Sequence, residues 1–153
     1  MKKISMMLVM LLMLAGCGTS QKEKTTVCLN DTAYLAYDSS EQIFESKGDV
    51  VRHMRTKSVL SMEKNFGVNA DEFIEIAQPG FDEINKLEGV HVSIEKIDDS
   101  TIYDKMEIDF DTADFKQLAK LGLVQLDESD ATFISLLRSV SMLEETGFTC
   151  TAE

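Results

Sequence analysis

The polar and apolar positions change rhythm several times along the chain, and each change predicts an element. Lys2 and Lys3 precede an almost unbroken apolar run from Ile4 to Ala15, after which Gly18 to Thr26 holds no apolar residue. From Val27 the chain alternates loosely as far as Tyr37. Gln42-Ile43-Phe44 then leads into Lys47-Gly48-Asp49, a turn signal between two extended segments, so a hairpin is expected whose second strand runs from Val50 to Leu60. His53, Arg55 and Lys57 fall on one face of that strand. Their charges mark the face as solvated or paired across a sheet.

A helical period follows. Asn69 can cap, Asp71 and Glu72 suit the positive end of a helix, and Glu72 stands where a capping-box acid belongs. Phe73, Ile76, Ala77, Ile84 and Leu87 supply the apolar stripe. Pro79-Gly80 interrupts it, and an internal proline costs about 3 kcal/mol through a lost hydrogen bond and a clash. A kink, or two shorter helices closed by Gly89, is the expectation. Alternation returns in Val90, Val92 and Ile94, turns at Asp98-Asp99-Ser100, and resumes through Ile102, Met106, Ile108 and Phe110. This second hairpin would have Tyr103, Lys105, Glu107 and Asp109 on its wet face, where the acids can pair with the basic row 53, 55 and 57 if the strands are neighbours. Asp111 and Asp114 open a short helix through Phe115, Leu118 and Leu121, stopped by Gly122. A longer helix is expected from about Asp130, with Phe133, Leu136, Leu137, Val140 and Leu143 on one face and Gly147 at its end. Phe148 to Cys150 can then rejoin the sheet.

The first sixteen residues do not belong to this pattern. A charged start and an apolar run of about twelve residues form a secretory signal, too short to span a bilayer, which takes roughly 20. Leu14-Ala15-Gly16-Cys17 resembles the bacterial lipobox. That resemblance implies cleavage before Cys17, which becomes the new N-terminus with its sulfur thioether-linked to diacylglycerol, and two or three fatty-acyl chains in all, palmitate among them. Two chains suffice for stable anchoring. The chain is thus expected to divide into a lipoprotein signal peptide (1–16), a lipidated cysteine with a flexible tether (17–26) and a folded domain (27–153). The protein would sit on a bacterial cell membrane, facing outside the cytoplasm.

Charge narrows the partners. The whole chain carries a formal −12, and loss of Lys2 and Lys3 with the leader leaves 13 basic against 27 acidic residues. A body this acidic argues against nucleic acid and against direct adhesion to anionic lipid. The 137 residues that follow the sixteen of the leader are enough for one domain with a core. Five of the nine methionines leave with the leader, and the rest are dispersed as core fillers.

Two cysteines remain, Cys28 and Cys150, near the two ends of the mature chain. An even pair outside the cytoplasm suggests a disulfide. It would close a loop of about 120 residues, for which chain entropy gives at most roughly 4 to 5 kcal/mol. Two free buried thiols, or a reactive thiol with no organised base, are the alternatives.

Candidate chemistry is sparse. An EF-hand loop begun at Asp109 would need glycine at Asp114 and glutamate at Lys120, and both fail. A strand's polar face followed by a helix cap accounts for Asp109, Asp111 and Asp114, leaving at most a weak cation site. His53 and His91, with Glu95 or Glu107, are ordinary zinc ligands, although their spacing does not demand a metal. No G-x-S-x-G or phosphate-cradling glycine motif is present.

The lipobox cysteine, the "SKGDVV" turn with its long following strand, the helix leading to "LEGVHVSIE", the segment "MEIDFDTADFKQLAKLGL" and the final helix ending "LEETGF" together resemble the YehR-like family of uncharacterised bacterial lipoproteins. The resemblance implies an α+β fold, a curved antiparallel β-sheet with helices packed on one face in a single domain. It carries over no catalytic residues. Pro79 departs from the uninterrupted helix the family leads one to expect. The functional expectation is a lipid-anchored extracytoplasmic module that binds a small ligand or a protein, with no cofactor, no nucleic-acid partner and no catalysis. The alternative is an envelope metal-binding or hydrolytic protein that uses His53, His91 and nearby carboxylates.

Overall fold

A computed structural model describes residues 22–125 and 132–153, so the segment expected to be a signal peptide (1–16), Cys17 and the chain up to residue 21 lie outside the described residues. Seven strands, β1 (Glu23–Asn30), β2 (Ser39–Lys47), β3 (Val50–Ser61), β4 (Val90–Asp98), β5 (Thr101–Asp109), β6 (Ile134–Ser135) and β7 (Thr149–Ala152), are interspersed with helices α1 (Met62–Phe66), α2 (Ala70–Ile84), α3 (Phe115–Lys120) and α4 (Leu136–Glu145). All strand pairs are antiparallel, in the order β4-β5-β3-β2-β1-β7, with β6 beside the start of β3. The fold is one α+β domain with an open sheet.

The two expected hairpins are present. β2 turns into β3 at Gly48, whose φ of 65° suits the left-handed turn that glycine tolerates. β3 and β5 are neighbours, so the basic and acidic rows do meet. Helix-side positions of the strands carry the core: Phe44, Val51, Met54, Val90, Val92 and Ile108 pack with Phe81, Ile84 and Leu87 near the end of α2, Leu118 of α3, and Leu136, Val140 and Leu143 of α4. A second cluster joins Leu60, Met62, Ala70 and Ile102 to Phe73, Ile74 and Tyr37. The helices therefore lie on one face, and none of the described helices covers the opposite one.

Four expectations need correction. Glu23 to Thr26, expected to belong to the tether 17–26, are instead the start of β1, which pairs with β2 along its whole length. Its buried positions are Thr26, Cys28 and Asn30, which show none of the apolar alternation that marks a strand. Second, α2 runs unbroken through Pro79 and ends at Ile84, not at Gly89. Phe81, Ile84 and Leu87 are partly buried against the core, and apolar burial of about 1.5–3 kcal/mol for a full side chain offsets the proline penalty of about 3 kcal/mol. The capping box between Asn69 and Glu72 forms as expected. Third, Ile76 and Leu137 are each 73% exposed, so neither belongs to the buried stripe expected of its helix. Fourth, the last helix begins at Leu136 behind a Ser135 cap, because Ile134 and Ser135 pair with Val50 and Val51; Asp130 lies outside the described residues.

At the far end of the sheet β7 pairs with β1, and Cys28 stands directly opposite Cys150. Their sulfurs are 2.00 Å apart, at disulfide distance.

Candidate functional site

The solvent face is a grid of charges set by strand register. Three rows cross β5 and β3: Asp109 faces His53, Glu107 faces Arg55, and Lys105 faces Lys57. One row, Glu107 with Arg55, matches opposite signs, as expected; another sets the Asp109 carboxylate beside the His53 imidazole, and the third sets two lysines side by side. Lys57 Nζ lies 4.0 Å from the centroid of the Tyr103 ring, and Lys105 also approaches that ring while pairing with Glu95 on β4. The aromatic face and the acid thus hold two cations that would otherwise repel. Lys105 donates a hydrogen bond to the Glu95 carboxylate and, with its charge, holds that carboxyl below the usual range. Arg55 turns to the other side and pairs with Glu45 at 2.8 Å.

The upper end of this face is shaped by a slip in register. Glu45 faces His53 and Ser46 faces Val51, so Arg52 has no partner position on β2. Val51 and Met54 are both buried, which places the two residues between them, Arg52 and His53, together on the solvent face. Arg52 Nη2 reaches Asp111 Oδ1 at 2.7 Å, and His53 Nδ1 lies 3.6 Å from Asp109 Oδ1. Among the described residues, ligand atoms of His53, Asp109 and Asp111 all lie within 4.8 Å of one another.

The turn after β5 fixes the two carboxylates. The backbone N–H of Asp111 donates to Asp109 Oδ1 at 2.9 Å, and the N–H of Ala113 donates to the Asp109 carbonyl at 3.0 Å. Gly89 closes over this turn, its carbonyl accepting from Asp109 N–H at 2.7 Å. A Cβ on Gly89 would fall 2.5 Å from Thr112 Oγ1 and 2.7 Å from the Asp109 carbonyl oxygen. Glycine is required by space as well as by a φ of 73°. Asp114 does not join the cluster; its carboxylate caps α3 by accepting from the N–H groups of Lys116 and Gln117.

Two clefts meet at His53. One, of about 440 Å³, is lined by Glu45, His53, His91, Glu107 and Asp109 among others. The second, of about 330 Å³, runs from His53, Arg52 and Asp111 to Glu23, Lys24 and Lys47 at the sheet end where β1 begins. His91 and His53 therefore share a cleft wall, but His91 faces Glu107 one row away and does not belong to the close group of donors. Glu95 is engaged by Lys105, on a different row.

A family model described as a protein of unknown function, DUF1307, matches residues 32–149. The chain belongs to this family. Its fold is shared with the NMR structure of the Escherichia coli YehR protein, at a TM-score of 0.67 and 15% identity over 86% of this chain and 92% of that one. A Streptococcus pneumoniae TIGR4 protein solved by NMR also matches, at a TM-score of 0.58 and 14% identity over 99% of this chain and 98% of that one. No curated protein sequence matches the chain. The DUF1307 domain is thus YehR-like, and at these identities the likeness is one of fold.

Proposed function

We propose that this DUF1307 protein is a lipoprotein of the bacterial cell envelope, anchored through an acylated Cys17 and facing outside the cytoplasm, where it binds a small ligand or a protein instead of catalysing a reaction. The observation that carries the reading is the uncovered sheet face. Helices α2, α3 and α4 all pack on one side, and the other presents ordered charges and two joined clefts. The net negative charge disfavours nucleic acid and leaves cationic or mixed-charge ligands as the better match.

The anchor rests on Leu14-Ala15-Gly16-Cys17 behind its apolar run. From Cys17 to Glu23 the chain can span at most about 20 Å, so the cleft beside Glu23 and Lys24 would stay close to the headgroups. Cell fractionation tests this. Cys17→Ser should move the protein from the membrane fraction to the soluble one, and a variant that stays membrane-bound without lipid would overturn the anchor.

A further inference from the structure

We infer that His53, Asp109 and Asp111 form a binding site for a divalent transition metal of the Zn²⁺ class, with Arg52 as a built-in competitor for it. The inference goes beyond the anchored binding module and does not depend on the anchor.

The donor set is mixed. One imidazole comes from the register slip in β3, and two carboxylates come from the end of β5 and the turn after it. Imidazole with carboxylate suits Zn²⁺ and its neighbours, whereas Ca²⁺ takes six to eight oxygen ligands. Bonds of about 2.0–2.2 Å around a tetrahedral Zn²⁺ place neighbouring ligand atoms about 3.4 Å apart. His53 Nδ1 and Asp109 Oδ1 already stand at 3.6 Å. The widest separation in the group, within 4.8 Å, closes by side-chain rotation alone, since all three side chains are roughly 40% exposed. The Asp111 N–H bond to Asp109 Oδ1 and the tight seat of Gly89 hold the carboxylate-bearing turn in place. That support is what an ordered ligand needs from its surroundings.

The cleft of about 440 Å³ opens beside the group, so a bound ion would keep a position for water or for an external ligand atom. Glu45, facing His53, is the nearest additional donor by register, but Arg55 engages it. Arg52 answers the question of charge. Its guanidinium sits on Asp111 at 2.7 Å, supplying the cation that two adjacent carboxylates require. Exposed ion pairs of this kind are weak, so a metal able to bond three donors displaces the guanidinium and swings it to solvent.

The test is a titration of the full chain in detergent with ZnCl₂ under non-reducing conditions, followed by calorimetry, with Co²⁺ absorption as a second readout of ligand geometry. One saturable site is expected. His53→Ala and Asp111→Asn should each weaken binding at least tenfold with unchanged thermal melts in the absence of zinc, and His91→Ala should leave it as it is. Arg52→Gln should tighten binding several-fold. No saturable binding by the wild type, or undiminished binding by both His53→Ala and Asp111→Asn, would overturn the site. Equal or weaker zinc affinity in Arg52→Gln would overturn the competitor role. Membrane fractionation does not enter these readouts, so failure of the anchor and failure of the metal site are separable.

Discussion

The carbonyl oxygen of Asp109 lies so close to Gly89 that a methyl group on the glycine would sit 2.7 Å from it. The connection from α2 into β4 and the turn leaving β5 are thereby locked face to face, and the carboxylates of Asp109 and Asp111 take their positions from that lock. Gly89→Ala combines a steric overlap with a left-handed backbone, and should lower stability by at least about 2 kcal/mol. Urea unfolding measures it. A midpoint equal to that of the wild type would show that the turn yields without cost.

The cysteine pair leads to a second expectation. Cys28 is fully buried at the pairing position opposite Cys150. Replacing both by alanine should cost about 2–5 kcal/mol, and mass spectrometry of the non-reduced protein should find the two peptides joined. Thiols that alkylate without denaturant would contradict it.

Two serines on β2 should behave in opposite ways. Ser40 and Ser58 share a hydrogen bond at 2.9 Å, both buried. Ser46 is also buried, but its hydroxyl has no hydrogen-bond partner among the described residues. Ser40→Ala strands the Ser58 hydroxyl and should destabilise by about 1–3 kcal/mol. Ser46→Ala removes a desolvated hydroxyl and should stabilise by about 1 kcal/mol. Thermal melts of the two variants moving in the same direction would refute this pairing.

Tyr37 gives a pH dependence. Burial first, then the hydrogen bond to Asp104 at 2.6 Å and the charge of that carboxylate, push its phenol far above the ordinary range. The native state therefore holds this proton more tightly than the unfolded chain, whose tyrosines ionise near pH 10. The contribution is whole below about pH 10 and declines as pH rises beyond it. Denaturation midpoints compared at pH 9 and pH 11 should fall less for Tyr37→Phe than for the wild type. Equal falls would remove Tyr37 from the account.

Both hairpins and the capped start of α2 were legible because their signals are local: alternation, a turn triplet, a cap with its acid three residues on. β1 was hidden because its buried face is Thr26, Cys28 and Asn30, whose burial depends on partners far away in the chain. Ile134 and Ser135 read as helix for the same reason, since only Val50 and Val51 make them a strand. The close group of His53, Asp109 and Asp111 was the hardest to foresee. Strict alternation puts Arg52 on the core side of β3, and only the slip against β2 turns it outward beside His53. Considered singly, Asp111 was a residue before a helix and His53 one of a solvated row.

The pairing of β1 also has a mechanical meaning. A pull on the chain ahead of Glu23 runs along β1 and must shear it from β2 along Glu23 to Val27, and from β7 at Thr26 and Val27, before it reaches Cys28. With the sulfurs joined, unravelling halts there, and the load passes into β7 and the end of the chain. Glu23 to Val27 are thus the part of β1 that a pull can draw out before the Cys28–Cys150 bridge takes the load.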